Sequence, residues 1–204
     1  MTNHNLYQNR IKSRTKIRFL IGIYPRLFKY IKNYFISGVA RRNGAKIGRN
    51  VTLPYKLARI ANSNLIVGDC SVIQTSLIDL RSKVNIGSNV IIGRDVEILT
   101  CSHNIDSSEF EFKSYGIEID DFCWVATRVF ILPSCRKIGF GAVCGAGAVV
   151  THNIESMSVV GGNPATHIKV RKNIHSNLVV ESLMGNDLKK YIENYTYKFK
   201  QNEC

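Results

Sequence analysis

The chain has 204 residues, 45% of them hydrophobic and 21% charged, with 28 Lys and Arg against 15 Asp and Glu for a formal net charge of +13. That profile excludes a disordered chain, a collagen and a coiled coil, and no apolar run approaches the roughly 18 residues of a membrane-spanning helix. The excess charge is local: residues 1–68 hold 14 basic and no acidic side chains, whereas residues 69–204 hold 14 basic and 15 acidic, a net of −1.

Residues 1–43 form a first, basic unit. Ile17, Phe19, Leu20, Ile23, Leu27, Phe28 and Ile31 recur among Lys and Arg, which predicts a basic amphipathic helix over residues 6–36, broken at Pro25 because proline lacks an N–H and crowds the turn before it. Two roles fit such a helix. It can lie on an anionic membrane surface, or it can pack against the base of the next unit and cover an exposed β edge. Nucleic acid is not the expected partner, since such a binder spreads its cations more widely. No secretory signal is recognised, so a cytoplasmic location is expected, peripheral to the inner face of the membrane under the first role. The cysteines (Cys70, Cys101, Cys123, Cys135, Cys144 and Cys204) form no C-x-x-C pair and are expected as free thiols with no metal.

Residues 44–172 follow a six-residue period. Aliphatic side chains stand at Ile86, Ile92 and Ile98, the frame returns as Ile119, Val125 and Ile131, and one inserted residue shifts it to Ile138, Cys144 and Val150. Weaker copies begin at Ile47-Gly48 and near Ile60 and Ile66. Two positions before six of these nine strong positions stands a small or β-branched residue: Val90, Val96, Cys123, Val129, Ala142 or Ala148. A helix needs apolar spacings of three and four, and a single strand needs alternation. Six residues make a short strand plus a corner, with two inward side chains per rung and a glycine such as Gly87 or Gly93 after the aliphatic to turn the corner. Stacked rungs pair in parallel, so the unit reads as an all-β solenoid, a parallel β-helix of hexapeptide repeats. Cys123 and Cys144 fall on inward positions and are expected to be buried, inert thiols.

The polar stretch His103–Gly116 carries no hexad and reads as an excursion loop, the kind of long loop that usually serves function. Gly161-Gly162-Asn163-Pro164 ends the coil. Residues 173–204 are expected to be a helical tail in part, from Leu178, Val179, Leu183 and Leu188.

From about Gly44 to Lys172 the sequence resembles the hexapeptide-repeat acyltransferases, in the maltose/galactoside O-acetyltransferase-like branch. The resemblance rests on Cys101-Ser102-His103-Asn104, on Cys123-Trp124-Val125-Ala126, on Gly145-Ala146-Gly147-Ala148-Val149-Val150-Thr151 and on Gly162-Asn163-Pro164-Ala165, in that order and spacing. It implies a left-handed β-helix, a homotrimer with active sites between subunits, and transfer of an acetyl group from acetyl-CoA to a saccharide hydroxyl. The basic N-terminus resembles members that modify bacterial surface polysaccharides such as O-antigen, capsule or exopolysaccharide.

The chemistry needs a base to take the proton of a weakly nucleophilic hydroxyl, and histidine suits that near neutral pH. Of the five histidines, His103 alone stands where the coil opens into the polar loop, and the resemblance implies that it is the general base. Among the loop acids Asp106, Glu109 and Glu111, the resemblance implies Glu111 as the carboxylate that orients the ring. It also implies the Thr127 backbone N–H as oxyanion donor and Trp124 beside the pantetheine arm. Ala146, Thr151, His152 and Lys169 match the remaining coenzyme contacts, with Arg171 and Lys172 nearby. His152 stands where lysine is common and Thr166 where arginine is common. The early rung Gln74-Thr75-Ser76 lacks the asparagine that touches sugar in galactoside-type members, which makes a small free sugar the less expected acceptor. Acylation of an amino sugar, and a non-catalytic polyanion- or membrane-binding scaffold, are the competing readings. A dinucleotide fingerprint at Gly139-Phe140-Gly141 lacks its βαβ context, and a zinc hydratase would need three histidines together.

Overall fold

The computed structural model of the protein describes residues 3–200; Cys204 lies outside them. The hexad region is a left-handed parallel β-helix whose short strands stack in three columns. The first column holds Lys46–Ile47, Leu65–Val67, Val84–Ile86, Ile117–Ile119 and Lys137–Ile138. The second holds Val72–Ile73, Ile91–Ile92, Trp124–Val125, Val143–Cys144 and Ser158–Gly161, and the third Leu77–Ile78, Glu97–Ile98, Phe130–Ile131 and Val149–Val150. The register joins like positions: Ile86 with Ile119, Ile92 with Val125, and Ile98 with Ile131. These side chains, the next set (Ile138, Cys144 and Val150) and the intervening Val90, Val96, Val129, Ala142 and Ala148 are all buried. Each fully buried Val or Ile contributes about 1.5–3 kcal/mol from desolvation, so the hexad frame is also the energetic frame. Cys123 and Cys144 are buried as expected, and burial raises both thiol pKa values, Cys123 to about 12.

Three details depart from the sequence reading. Ile60 belongs to a short helix, Tyr55–Ile60, and is exposed, and Ile66 faces outward; Leu65 and Val67 fill the core instead. The glycines after the aliphatics do not carry the left-handed turn. Gly87 and Gly93 are required by close approach, since a Cβ on either would lie 2.8 Å from a backbone nitrogen of the next rung. Positive φ falls two residues further on, at Asn89 (57°) and Asp95 (54°), residue types that tolerate it. Finally, the stretch read as a loop is an antiparallel hairpin, Cys101–His103 with Phe112–Ser114.

The N-terminal unit is helix α1 (Asn3–Lys12) and helix α2 (Lys16–Arg42). The break falls between them, at Ser13–Thr15, where the Thr15 hydroxyl accepts the Arg18 N–H as an N-cap. Helix α2 runs through Pro25 without ending. The carbonyl that proline leaves unpaired is that of Ile21, which is exposed and can be hydrated, while Arg26 Nη1 donates to the neighbouring Gly22 carbonyl at 2.9 Å. The C-terminal half of α2 seats Ile36 and Ala40 on the base of the coil beside Ile47, Val51 and Leu57. Its N-terminal half seats Phe19 against Tyr191 and Tyr195 of the last helix, Leu188–Lys200. Asp187, buried just before that helix, accepts from the Tyr7 hydroxyl and from Arg26 Nε, the latter at 3.0 Å. Burial, then the Asp187 carboxylate, pushes the Tyr7 hydroxyl pKa up.

Candidate active site at the hairpin and the coil edge

The hairpin leaves the coil at the edge between the third and first columns. Its base is tied to the rung beneath: Thr100 N–H donates to the Asp79 carboxylate at 3.2 Å, and the Thr100 hydroxyl donates to the Asp79 carbonyl at 3.1 Å. Arg81 forms a two-pronged ion pair with Asp79 (2.9 and 3.0 Å) and sets its guanidinium 5.6 Å from the centre of the Phe112 ring. Phe112 in turn meets the His103 ring edge-on at 5.8 Å. A chain of contacts thus runs from the coil to the imidazole.

His103 itself is exposed, and Nδ1 lies 2.8 Å from the Phe110 carbonyl oxygen. A carbonyl only accepts, so Nδ1 carries the proton and the lone pair of the neutral ring sits on Nε2, the atom available as a base. Phe110 also stacks its ring on the imidazole at 4.3 Å and 7°. Its φ of 47° is unusual for a bulky residue and costs on the order of 1–3 kcal/mol. The left-handed turn brings both the carbonyl and the ring of one residue to His103. Glu111 is placed otherwise than the sequence reading expects. Its carboxylate accepts from Asn104 Nδ2 at 3.2 Å and from the Ser107 hydroxyl at 3.1 Å, so it closes the hairpin tip while a backbone carbonyl holds the ring.

Trp124 and Thr127 lie elsewhere on the prism. Trp124 projects from the second column, 46% exposed. Thr127 is at the edge between the second and third columns. Its carbonyl accepts the Gly147 N–H at 3.0 Å, which stacks Ala146 and Gly147 on the Thr127 corner. No acceptor is seen for the Thr127 N–H among the described residues. One chain therefore carries His103 on one edge and Thr127 with Ala146 on another.

Thr151 and His152 sit on the last rung, with the Thr151 hydroxyl 2.8 Å from His152 Nδ1. They line a groove of about 190 Å³ together with Ala165 and His167; His167 had no motif to mark it. Lys169 is exposed on the return strand Thr166–Val170, which pairs antiparallel with Ser158–Gly161. Arg171 is not a surface cation. It donates to the Phe122 and Gly141 carbonyls (3.1 and 2.9 Å) and to His175 Nδ1 (2.9 Å), so it pins the chain to a coil corner. His175 donates from Nε2 to the Asn89 carbonyl at 2.8 Å, and burial lowers its pKa; it is a neutral structural histidine. Asp79, Arg81 and Phe110 also escaped the sequence reading, because their roles depend on contacts across rungs or across the hairpin.

No protein-family model matches the chain. Over 130 residues it is 33% identical to a protein of Escherichia coli (strain K12) named as the colanic acid biosynthesis acetyltransferase WcaF, a match spanning 63% of this chain and 70% of that one. Among solved structures it is similar to a hexapeptide-repeat acetyltransferase of Vibrio cholerae O1 biovar eltor complexed with acetyl coenzyme A, at 23% identity and a TM-score of 0.56, covering 66% of this chain and 75% of that one. It is also similar to a galactoside acetyltransferase in complex with coenzyme A, at 23% identity and a TM-score of 0.54, covering 80% and 82%.

Proposed function

Because the chain belongs to the hexapeptide-repeat acetyltransferases, we propose that it transfers an acetyl group from acetyl-CoA to a hydroxyl of a sugar in a bacterial surface polysaccharide or its precursor, with His103 as general base. The carrying observation is the imidazole on its exposed hairpin, with Nδ1 committed to the Phe110 carbonyl and Nε2 left to take a proton. The relative named for colanic acid biosynthesis supports a polysaccharide acceptor.

His103 Nε2 takes the proton as the sugar oxygen attacks the thioester carbonyl. The Thr127 N–H bonds the oxygen that becomes negative. The tetrahedral intermediate then expels the coenzyme thiolate, and the imidazolium returns the proton to sulfur. The reading places the pantetheine arm along Trp124, Ala146 and Thr151, and the phosphates near His152 and Lys169. Glu111 acts through the hairpin it closes. Because His103 and Thr127 stand on different edges of one chain, the reading requires a second copy to bring them together. A homotrimer does this by repeating one head-to-tail contact until the ring closes.

The test is coenzyme A release by purified protein with oligosaccharides of candidate polysaccharides, followed by mass spectrometry of the product. A new acetyl group lost in mild alkali supports an ester. One that persists is an amide and overturns the choice of a hydroxyl. Full activity in a His103→Ala protein overturns the choice of base.

A further inference from the structure

Helix α2 presents two faces, and the fold uses only one. Phe19, Gly22, Ile36 and Ala40 are buried against the tail helix and the base of the coil. On the other side Ile17, Leu20, Ile21, Tyr24, Phe28 and Phe35 are between 62% and 76% exposed. Their spacing of three, four and seven residues places them on one stripe of the helix. From Ile17 to Phe35 that stripe is about 27 Å long at 1.5 Å per residue. So many large apolar side chains in one line exceed the scattered exposure ordinary for a soluble surface.

The charges beside the stripe select its occupant. Exposed Arg18, Lys29 and Lys32 border it, and residues 1–68 contain no acidic side chain at all. Among the described residues, Asp187 approaches α2 on its buried face and is paired with Arg26. Docking two such stripes would oppose cation to cation. The remainder of a second copy carries a net charge of only −1 over residues 69–204, a weak overall attraction for a cationic face. A surface that is apolar within and anionic at its edge matches on both counts: the apolar side chains enter the acyl boundary while the long cationic side chains reach back to the headgroups. No described helix is long and apolar enough to cross a membrane, so the helix would lie in the interface.

We propose that α2 is an interfacial anchor: its outer stripe docks the protein on an anionic lipid surface while its inner face caps the coil. The two roles open to this segment are both filled, by opposite faces of one helix. The inference does not depend on the acyl-transfer reading.

The full chain is sedimented with phosphatidylcholine vesicles containing phosphatidylglycerol and with vesicles of phosphatidylcholine alone. Binding is expected to the anionic vesicles, to weaken with salt, and to fall about tenfold or more in a Leu20→Glu/Phe28→Glu protein. An Arg18→Gln/Lys29→Gln/Lys32→Gln protein, which keeps the apolar stripe, should also bind more weakly. Circular dichroism and sedimentation equilibrium on each variant report folding and mass. Three outcomes overturn the proposal: wild-type protein that stays in the supernatant with both lipids, equal binding to neutral vesicles, or stripe variants that bind like wild type. A stripe substitution that lowers the oligomeric mass, with no vesicle binding by wild type, makes the stripe an interface between copies instead. Coenzyme A release with a soluble acceptor should be unchanged in the stripe variants, so a failure here is distinct from a failure of the proposed reaction.

Discussion

Replacing Gly93 with alanine tests the point where the packing of the coil and the chemistry of the site share one backbone segment. A Cβ there would lie 2.8 Å from the Thr127 nitrogen, 2.9 Å from the Ala126 carbonyl carbon and 3.1 Å from the Thr127 Cα. Non-bonded carbon settles at about 3.5–4.0 Å, so the next rung must retreat by about 0.5–1 Å at Thr127. An oxyanion donor is effective only at about 2.7–3.1 Å, and that retreat carries the Thr127 N–H out of the window. Since losing one such donor costs about 100- to 1000-fold in kcat, a displaced one should cost about 10- to 100-fold. Overpacking should lower stability by about 1–3 kcal/mol. The control is Gly87→Ala. Its Cβ would stand 2.8 Å from the Asp121 nitrogen and 2.9 Å from the Asp120 carbonyl carbon, and would also press on the Asp121 carboxylate, a backbone clash of the same kind and at least as severe, at the corner away from Thr127. The assay is steady-state coenzyme A release beside a urea titration of each protein. Gly87→Ala should lose stability and keep kcat; Gly93→Ala should lose both. Equal kcat in the two variants, at equal loss of stability, would refute Thr127 as the donor.

His103→Ala should lower kcat by about 100- to 10,000-fold, the range of a single general base, with an unchanged melting temperature because the ring is exposed; a matched loss of stability would point to a structural ring. Burial raises the Asp79 pKa, but hydrogen bonds from Arg81 and Thr100 outweigh that and hold the carboxyl at about 2. Its folded pKa therefore lies below the unfolded value of about 3.9, so its stabilisation is complete above that pH and is lost as pH falls toward 2. Asp79→Asn should lower stability at about pH 6 and flatten the loss between about pH 4 and about pH 2, and urea midpoints against pH measure both. Removing Asp187 as Asp187→Ala should cost about 3–5 kcal/mol, the range for breaking a buried pair, because it strands Arg26 and the Tyr7 hydroxyl; calorimetry of the full chain would show an earlier transition.

The columns of the coil could be read from residues alone because each hexad repeats one local decision. An inward aliphatic side chain and a small one before it recur wherever the rungs stack, and burial of Ile86, Ile119 and Ile138 follows from that repetition. The exit of the chain at His103 was likewise visible, since a polar run without a hexad has no place in the wall. What local order does not encode is which atoms meet across rungs or across the hairpin. Leu65 and Val67 displaced Ile66 from the core because they register with the inward Val84 and Ile86 of the next rung, and alternation along the strand turns Ile66 outward. Pro25 stayed inside α2, where the carbonyl it leaves without a donor belongs to the exposed Ile21 and Arg26 reaches back to the neighbouring Gly22 carbonyl. The imidazole is held by the Phe110 carbonyl rather than by Glu111 because a left-handed turn at Phe110 aims that oxygen inward. The periodicity of the chain alone determined the solenoid and the residue at its opening. Only the tertiary structure decided the tautomer of that residue, the rung that supports it and the face of α2 left to a partner, because each depends on contacts between segments far apart in sequence.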